Sequence, residues 1–421
     1  MPTHFAIFGK TPALSAAELF LVCSEPGKAL RAERVHETGM IWESAVERDT
    51  AFWDRLGGSI KAGTIIKKCP IDSTKADLCA TIVADLTERV LEGRVLFGIS
   101  VYALDAQGTK QEKTLAGLGA EVKHALVEEG RQARHVTSND QTLSAVTITK
   151  NHLLGPGVEY SIFLDGGMIA LGVTTWVQPY EDFSAREFGR PRANSRSGMI
   201  PVKLARMMLH LADLPTSATI LDPFCGSGTI ATEALALDFQ HVIASDILER
   251  AIEETKENSA WILEQTQTAG KIDVIHIPVE RLAERVAPAT IDAIITEPLL
   301  GPPLRGSETR EFVEKTVENL EKLYIAAFEQ FSLVLKKDSP VIFILPFFVR
   351  PNVQAFKNLL PSLQKMGFHQ EIPLPQRFQK TKGFTLSPRG GLLYGREDQR
   401  VLREILCFHY QPSKESRKFK D

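Results

Sequence analysis

Residues 218–236 constrain the fold more tightly than any other stretch. Ala218-Thr219-Ile220-Leu221 reads as a short apolar strand, Asp222-Pro223-Phe224-Cys225-Gly226-Ser227-Gly228-Thr229 as a tight loop, and Ile230 to Ala236 as a helix. A strand that stops at an acid and two glycines and turns into a helix opens a nucleotide-sized cleft in an α/β sheet. Glycine brings the backbone close to a ligand with no Cβ in the way. A carboxylate would repel a pyrophosphate, so Asp222 suits a ligand with a positive end.

The chain around this loop is long for one core. Its 421 residues predict two or three domains. Hydrophobic content of 43% with 24% charged residues is that of a soluble globular protein. No apolar run is long enough for a membrane helix, and Thr3 to Phe8 reads as a first strand, not a leader peptide. Five scattered cysteines without a CxxC argue against a disulfide framework or a metal site and predict a reducing cytoplasm. A net charge of −3 gives no general affinity for polyanions, so any nucleic-acid contact must come from local patches.

The first half reads as small α+β units. Strands are expected at 3–8, 40–43, 64–68, 95–102, 160–164 and 168–173, and helices at 13–21, 45–56, 76–89 and 115–129. If the last helix continued to His135, its end would be basic, although Gly130 stands against that. Residues 174–200 read as a connector with several arginines. From 201 the alternation becomes regular: strands at 218–221, 241–245, 273–276, 291–296 and 341–346 separated by helical patterns, the signature of a parallel, doubly wound sheet. Segments 370–374 and 403–410 are expected to add an antiparallel hairpin at its edge.

Two further acids narrow the ligand. Asp246 closes the strand His241 to Ser245, near the offset at which such folds place an acid on a ribose. Both NAD and S-adenosylmethionine carry an adenosine, so Asp246 alone does not choose between them. The segment Thr296-Glu297-Pro298-Leu299-Leu300 ends the fourth strand on an acid–proline pair. An exocyclic amine is a poor nucleophile because its lone pair is delocalised into the base. A side-chain acceptor (Glu297) and a main-chain carbonyl (Pro298 or Leu299) held by a rigid turn can draw that nitrogen toward tetrahedral geometry. This favours methyl transfer from S-adenosylmethionine, a cationic donor, over hydride transfer.

Asp222 to Thr229 resembles motif I of amino-methyltransferases, and more narrowly that of the THUMP-domain tRNA guanine-N2 methyltransferases of the position-10 guanosine type. Leu56-Gly57-Gly58-Ser59-Ile60-Lys61 is similar to that family's junction between its ferredoxin-like module and its THUMP domain. Arg190-Pro191-Arg192 and Ser197 to Arg206 resemble the entry to its catalytic domain. The resemblance implies a ferredoxin-like module at 1–60, a THUMP RNA-binding domain at 61–173, a linker at 174–194, a Rossmann-like methyltransferase domain at 195–412 and a basic tail at 413–421. It implies that Asp222, Phe224, Gly226, Ser227, Gly228 and Thr229 border the methionine end of S-adenosylmethionine. Asp246 would hold the ribose, Ile247 the adenine ring and Glu280 the adenine amine, with Met199 and Pro201 closing over them. Catalysis would fall to Glu297, Pro298 and Leu299. Glu-Pro-Leu-Leu departs from the family's Asp-Pro-Pro-Tyr by losing the aromatic on which a flipped base stacks. Phe347, Phe348, Phe384 and Tyr180 are the candidate replacements.

The implied partner is tRNA, gripped through phosphate contacts by Lys123, Arg131, Arg134, Arg190, Arg192 and Arg196. The tail residues Lys414, Arg417, Lys418 and Lys420 would add to them. The chain would act as a monomer or with a small activator subunit. The competing readings are a methyltransferase for another base or RNA, a catalytically degenerate RNA-binding protein, and a dinucleotide oxidoreductase.

Overall fold

The strands, several of them buried along nearly their whole length, form two eight-stranded sheets. The computed structural model describes residues 1–24, 30–193, 199–349, 355–396 and 398–412. The first half contains β1 (Thr3–Phe8), α1 (Pro12–Val22), β2 (Ala32–His36), β3 (Gly39–Glu43), α2 (Thr50–Asp54), β4 (Ser59–Pro70), α3 (Lys75–Arg89) and β5 (Val95–Ala103). It continues through α4 (Ala106–Thr114), α5 (Leu118–Glu128), β6 (Ala133–Val136), α6 (Ala145–Lys150), β7 (Gly157–Asp165) and β8 (Met168–Val177). The strands form one sheet in the order β2-β3-β1-β4-β8-β7-β5-β6. β4 runs through the expected module junction at 60–61, pairing with β1 on one side and β8 on the other.

The helix expected over 115–129 forms as α5, and beyond it Gly130 turns at φ 79° and the chain enters β6, which pairs parallel to β5, so no basic extension follows. Two other expectations for this half are corrected. The helix expected over 45–56 shortens to α2, whose start is set by Asp49 accepting from the Phe52 amide at 2.8 Å. The connector expected from 174 carries the end of β8 and then α7 (Tyr180–Phe188). Phe183 anchors that helix, buried with the Arg186 and Arg206 guanidiniums 4.6 and 5.3 Å from its ring centre.

The second half contains α8 (Val202–Leu211), β9 (Thr219–Asp222), α9 (Thr229–Ala236), β10 (His241–Asp246), α10 (Glu249–Thr266), β11 (Lys271–His276), β12 (Ala293–Thr296), α11 (Arg310–Val334) and β13 (Ser339–Phe348). After it come α12 (Leu359–Lys365), β14 (Phe368–Glu371), β15 (Leu392–Tyr394) and β16 (Val401–Tyr410). The sheet runs β11-β10-β9-β12-β13-β16-β14, with β15 also on β16. β9 to β13 are parallel and β14 to β16 antiparallel. β14 and β16 do pair, but β16 lies inside the sheet between β13 and β14, not at its edge.

Successive strand residues face opposite sides. Ile220, Ala293, Ile295, Ile342 and Ile344 face the core shared with α8, α9 and α10, whereas Leu221, Ile294, Val341, Phe343 and Leu345 face α11 and α12. The first core also takes in Leu14, Leu19, Met40 and Trp42, so the N-terminal half and the second sheet share one apolar interior. Glu18 ties the halves together: it is fully buried, accepts from the Gly57 and Gly58 amides at 2.9 and 2.8 Å, and lies 2.6 Å from His210 Nδ1.

Candidate active site

The second sheet reverses direction of growth between β9 and β12, and the crevice beyond their carboxyl ends is where open α/β sheets place ligands. Asp222 ends β9 and is 2% exposed. Its Oδ1 accepts from Thr296 Oγ1 at 2.6 Å and from the Phe224 amide at 3.3 Å. Burial pushes its pKa up to about 7 against those hydrogen bonds, with the nearby Asp246 and Glu297 charges adding to the rise.

The loop behind Asp222 is built to be open. Gly226 and Gly228 have φ of 53° and 83°. A Cβ on Gly228 would press on Thr255 Oγ1 at 2.9 Å, whereas one on Gly226 would meet nothing within 4 Å. α10 fixes the loop's carbonyls: Thr255 Oγ1 donates to Gly226 O at 2.9 Å and Asn258 Nδ2 to Ser227 O at 2.8 Å. Thr229, the first residue of α9, accepts from Arg190 Nη1 at 2.8 Å.

Asp246 stands across the loop. One carboxylate oxygen accepts from the Gly226 amide at 3.0 Å and the other from the Leu248 amide at 2.9 Å. Beside it Ile247 and Leu248 are 63% and 62% exposed, an apolar pair that soluble surfaces seldom leave uncovered next to a cleft. Glu280 is exposed in the first turn of the short 3₁₀ helix that follows β11. Met199 precedes α8, its sulfur accepting from Arg190 Nη2 at 2.9 Å, and Pro201 occupies the cap position of that helix.

Glu297 follows β12 and is held by an arginine absent from every sequence motif. Arg403 Nε, on β16, donates to Glu297 Oε1 at 2.5 Å and its Nη2 to Oε2 at 3.3 Å. Burial raises the Glu297 pKa and Arg403 opposes that rise. Leu299 is 61% exposed, while its carbonyl accepts from the buried Tyr324 hydroxyl at 2.6 Å. Of the two carbonyls expected to serve as a second acceptor, that of Leu299 is therefore already engaged. The expected aromatic replacements also have other places: Phe348 is in the core, Phe384 packs against Phe8 at 6.5 Å, Tyr180 donates to Glu181, and Phe347 lies opposite Leu402.

The cationic candidates divide. Lys123 and Arg134 are exposed on α5 and the edge strand β6, and the half-buried Arg131 donates to Val90 O. Arg190 is 4% exposed and committed to Thr229 and Met199, which removes it from the phosphate-binding set. Arg192 is exposed in a two-pronged pair with Glu257 at 2.7 and 2.8 Å. Arg196 and the tail 413–421 lie outside the described residues.

Thr296, Tyr324 and Arg403 complete the site without having been singled out in the sequence. One signal was available: Arg403 and Glu404 are adjacent charges inside the apolar run 401–408, and buried charges need partners. Glu404 finds Arg389 and Arg403 finds Glu297.

The fold is that of α/β methyltransferases. Residues 190–346 match the model of the UPF0020 (RMKL-like) methyltransferase domain family. Two solved structures are similar over nearly the whole chain. TrmN from Thermus thermophilus has a TM-score of 0.52 at 16% identity, covering 97% of this chain and 100% of that one. A possible methylase from Clostridium difficile 630 has a TM-score of 0.51 at 14% identity, covering 98% of each.

Among curated relatives, the tRNA (guanine(10)-N2)-dimethyltransferase of Methanothermobacter thermautotrophicus is 33% identical over 149 residues, 32% of this chain and 41% of that protein. The tRNA (guanine(6)-N2)-methyltransferase of Thermus thermophilus is 40% identical over 79 residues, 19% of this chain and 22% of that protein. The matched stretches thus span less than half the length of either relative.

Proposed function

We propose that this chain is an S-adenosylmethionine-dependent RNA methyltransferase acting on the N2 amine of a guanosine in tRNA. The observation that carries the reading is the buried Asp222 at the switch point beside an open, positive-φ glycine: a carboxylate pushed up to about 7 by desolvation invites a cation and disfavours a diphosphate. The two named relatives act on guanine N2 in tRNA, and the family match falls on the part of the chain that holds Asp222, Asp246 and Glu297.

The residues fit the methyl donor. Asp222 faces its positive end, Gly226 and Ser227 give main-chain room, Asp246 has the remaining lone pairs for a ribose, and Ile247 and Leu248 supply an apolar floor for adenine. When bound, S-adenosylmethionine supplies a methyl group already activated by the sulfonium. Glu297 then accepts a hydrogen bond from the target amine and orients its lone pair, the Pro298 carbonyl accepts one from the second amine hydrogen, and the proton released as the nitrogen gains its methyl passes to Glu297 or to water. The target base must leave its stack to reach this crevice. Residues 61–173 serve as the RNA-binding module, with Lys123 and Arg134 on its outer edge as phosphate contacts.

Because a cation favours ionised Asp222, donor affinity is expected to fall as pH drops through about 7, approaching tenfold per unit. Calorimetric titration of the donor between about pH 5 and 8 checks this; a flat profile would show that the carboxylate does not meet the ligand.

The exposed Leu299 and the arginine-held Glu297 favour one second reading, a different target base or RNA. Incubating unmodified tRNA and total RNA with labelled donor, then identifying the nucleoside by mass spectrometry, separates the two. N2-methylguanosine in tRNA is the expected product, and a different methylated nucleoside would replace the reading.

A further inference from the structure

We propose that the β15–β16 hairpin forms the wall against which the target base is held, with Tyr394 providing the aromatic face that Leu299 lacks. This rests on the reading of the chain as a base methyltransferase. Tyr394 and Arg403 are direct partners in the antiparallel ladder. Directly opposed residues project from the same face of a sheet with Cβ atoms about 4.5–5.5 Å apart. Arg403 uses that face to reach Glu297 at 2.5 Å, so the tyrosine ring stands next to the ion pair that carries the amine acceptor. The residue opposite Arg403 on its other side is Pro346, which offers no π-face.

The electrostatics agree with this placement. Burial raises the Tyr394 phenol, and it feels the charges of Arg403, Glu187 and Glu297. Glu187 in turn accepts from the Val202 amide at the entry to α8 at 2.8 Å. Tyr394 is half-buried and packs against the first core. Tyr324, also close to Glu297, cannot take the role: it is fully buried, edge-on to Phe343 at 5.3 Å, with its hydroxyl on the Leu299 carbonyl.

The test uses the full chain, donor binding by calorimetry and steady-state methylation of the RNA identified by mass spectrometry. Stacking of one base on an aromatic is worth about 5- to 150-fold in affinity, from 1–3 kcal/mol at 1.4 kcal/mol per tenfold. Tyr394→Leu is expected to lower kcat/KM for RNA by that factor while leaving donor affinity intact, which also reports that the variant is folded. Tyr394→Phe, which keeps the ring, is expected to recover most of the loss. With 2-aminopurine at the mapped target position, fluorescence on binding should be quenched by the native chain and stay bright with Tyr394→Leu.

RNA kinetics within twofold of the native chain for Tyr394→Leu would overturn the proposal. So would equal losses in the Phe and Leu variants, or a parallel loss of donor binding. Failure of the native chain to methylate any RNA would instead sink the methyltransferase reading, and this wall with it.

Discussion

Asp222→Asn is expected to weaken S-adenosylmethionine binding by about 30-fold or more, because truncating one partner of a buried charge pair costs about 2–5 kcal/mol. The substitution keeps the shape of the side chain and an oxygen for Thr296 Oγ1, so the loop should stand. Its effect on stability separates a ligand role from a structural one. In the free protein Asp222 has its pKa pushed up to about 7, so the folded state holds a proton that the unfolded state has released between about pH 4 and 7. Stability from this group is therefore fully present at low pH and lost as pH rises through 7. The amide never ionises, so at pH 8 the variant should melt no lower than the native chain while binding the donor far more weakly. Donor affinity within threefold of native would remove the cationic-ligand argument.

Glu297→Gln is expected to leave donor affinity within about twofold and to lower kcat by about 100- to 1,000-fold, the usual cost of one preorganised hydrogen-bonding group. The variant also deprives Arg403 of its carboxylate. Breaking a buried pair costs about 3–5 kcal/mol, and less here because both side chains keep some exposure, 17% and 13%. A second substitution, Arg403→Gln, should recover thermal stability without recovering the rate. If the double variant regains activity, the pair is structural and the amine acceptor lies elsewhere.

These two acids differ in how visible they were. Asp222 announces itself because its neighbours on both sides are local: a strand before it, glycines and a helix after it, all within a few residues. Asp246 and the strand ends at 222, 246, 276 and 296, each within one residue of the position expected, follow from the same strand–helix alternation. Glu297 stood out only as an acid before proline. That it is clamped depends on Arg403, 106 residues further on.

The misread stretches share a cause. Residues 45–56 have helix-forming composition, but the helix starts only where Asp49 can cap it, at α2. Residues 174–200 are polar enough to look like a connector, yet α7 forms there, with its one buried residue, Phe183, under two guanidiniums. Arg190 looked like a phosphate ligand because charge is normally exposed; it is instead buried between Thr229 and Met199.

By itself the sequence determined the parallel sheet and its switch-point loop, because periodicity and glycine conformation act over a handful of residues. Tertiary structure alone decided which strand lies beside which, that β16 inserts between β13 and β14, and that Arg403 meets Glu297. The Arg403–Glu297 contact joins residues 106 positions apart, where no local preference reaches and only the packing of the whole sheet brings the groups together.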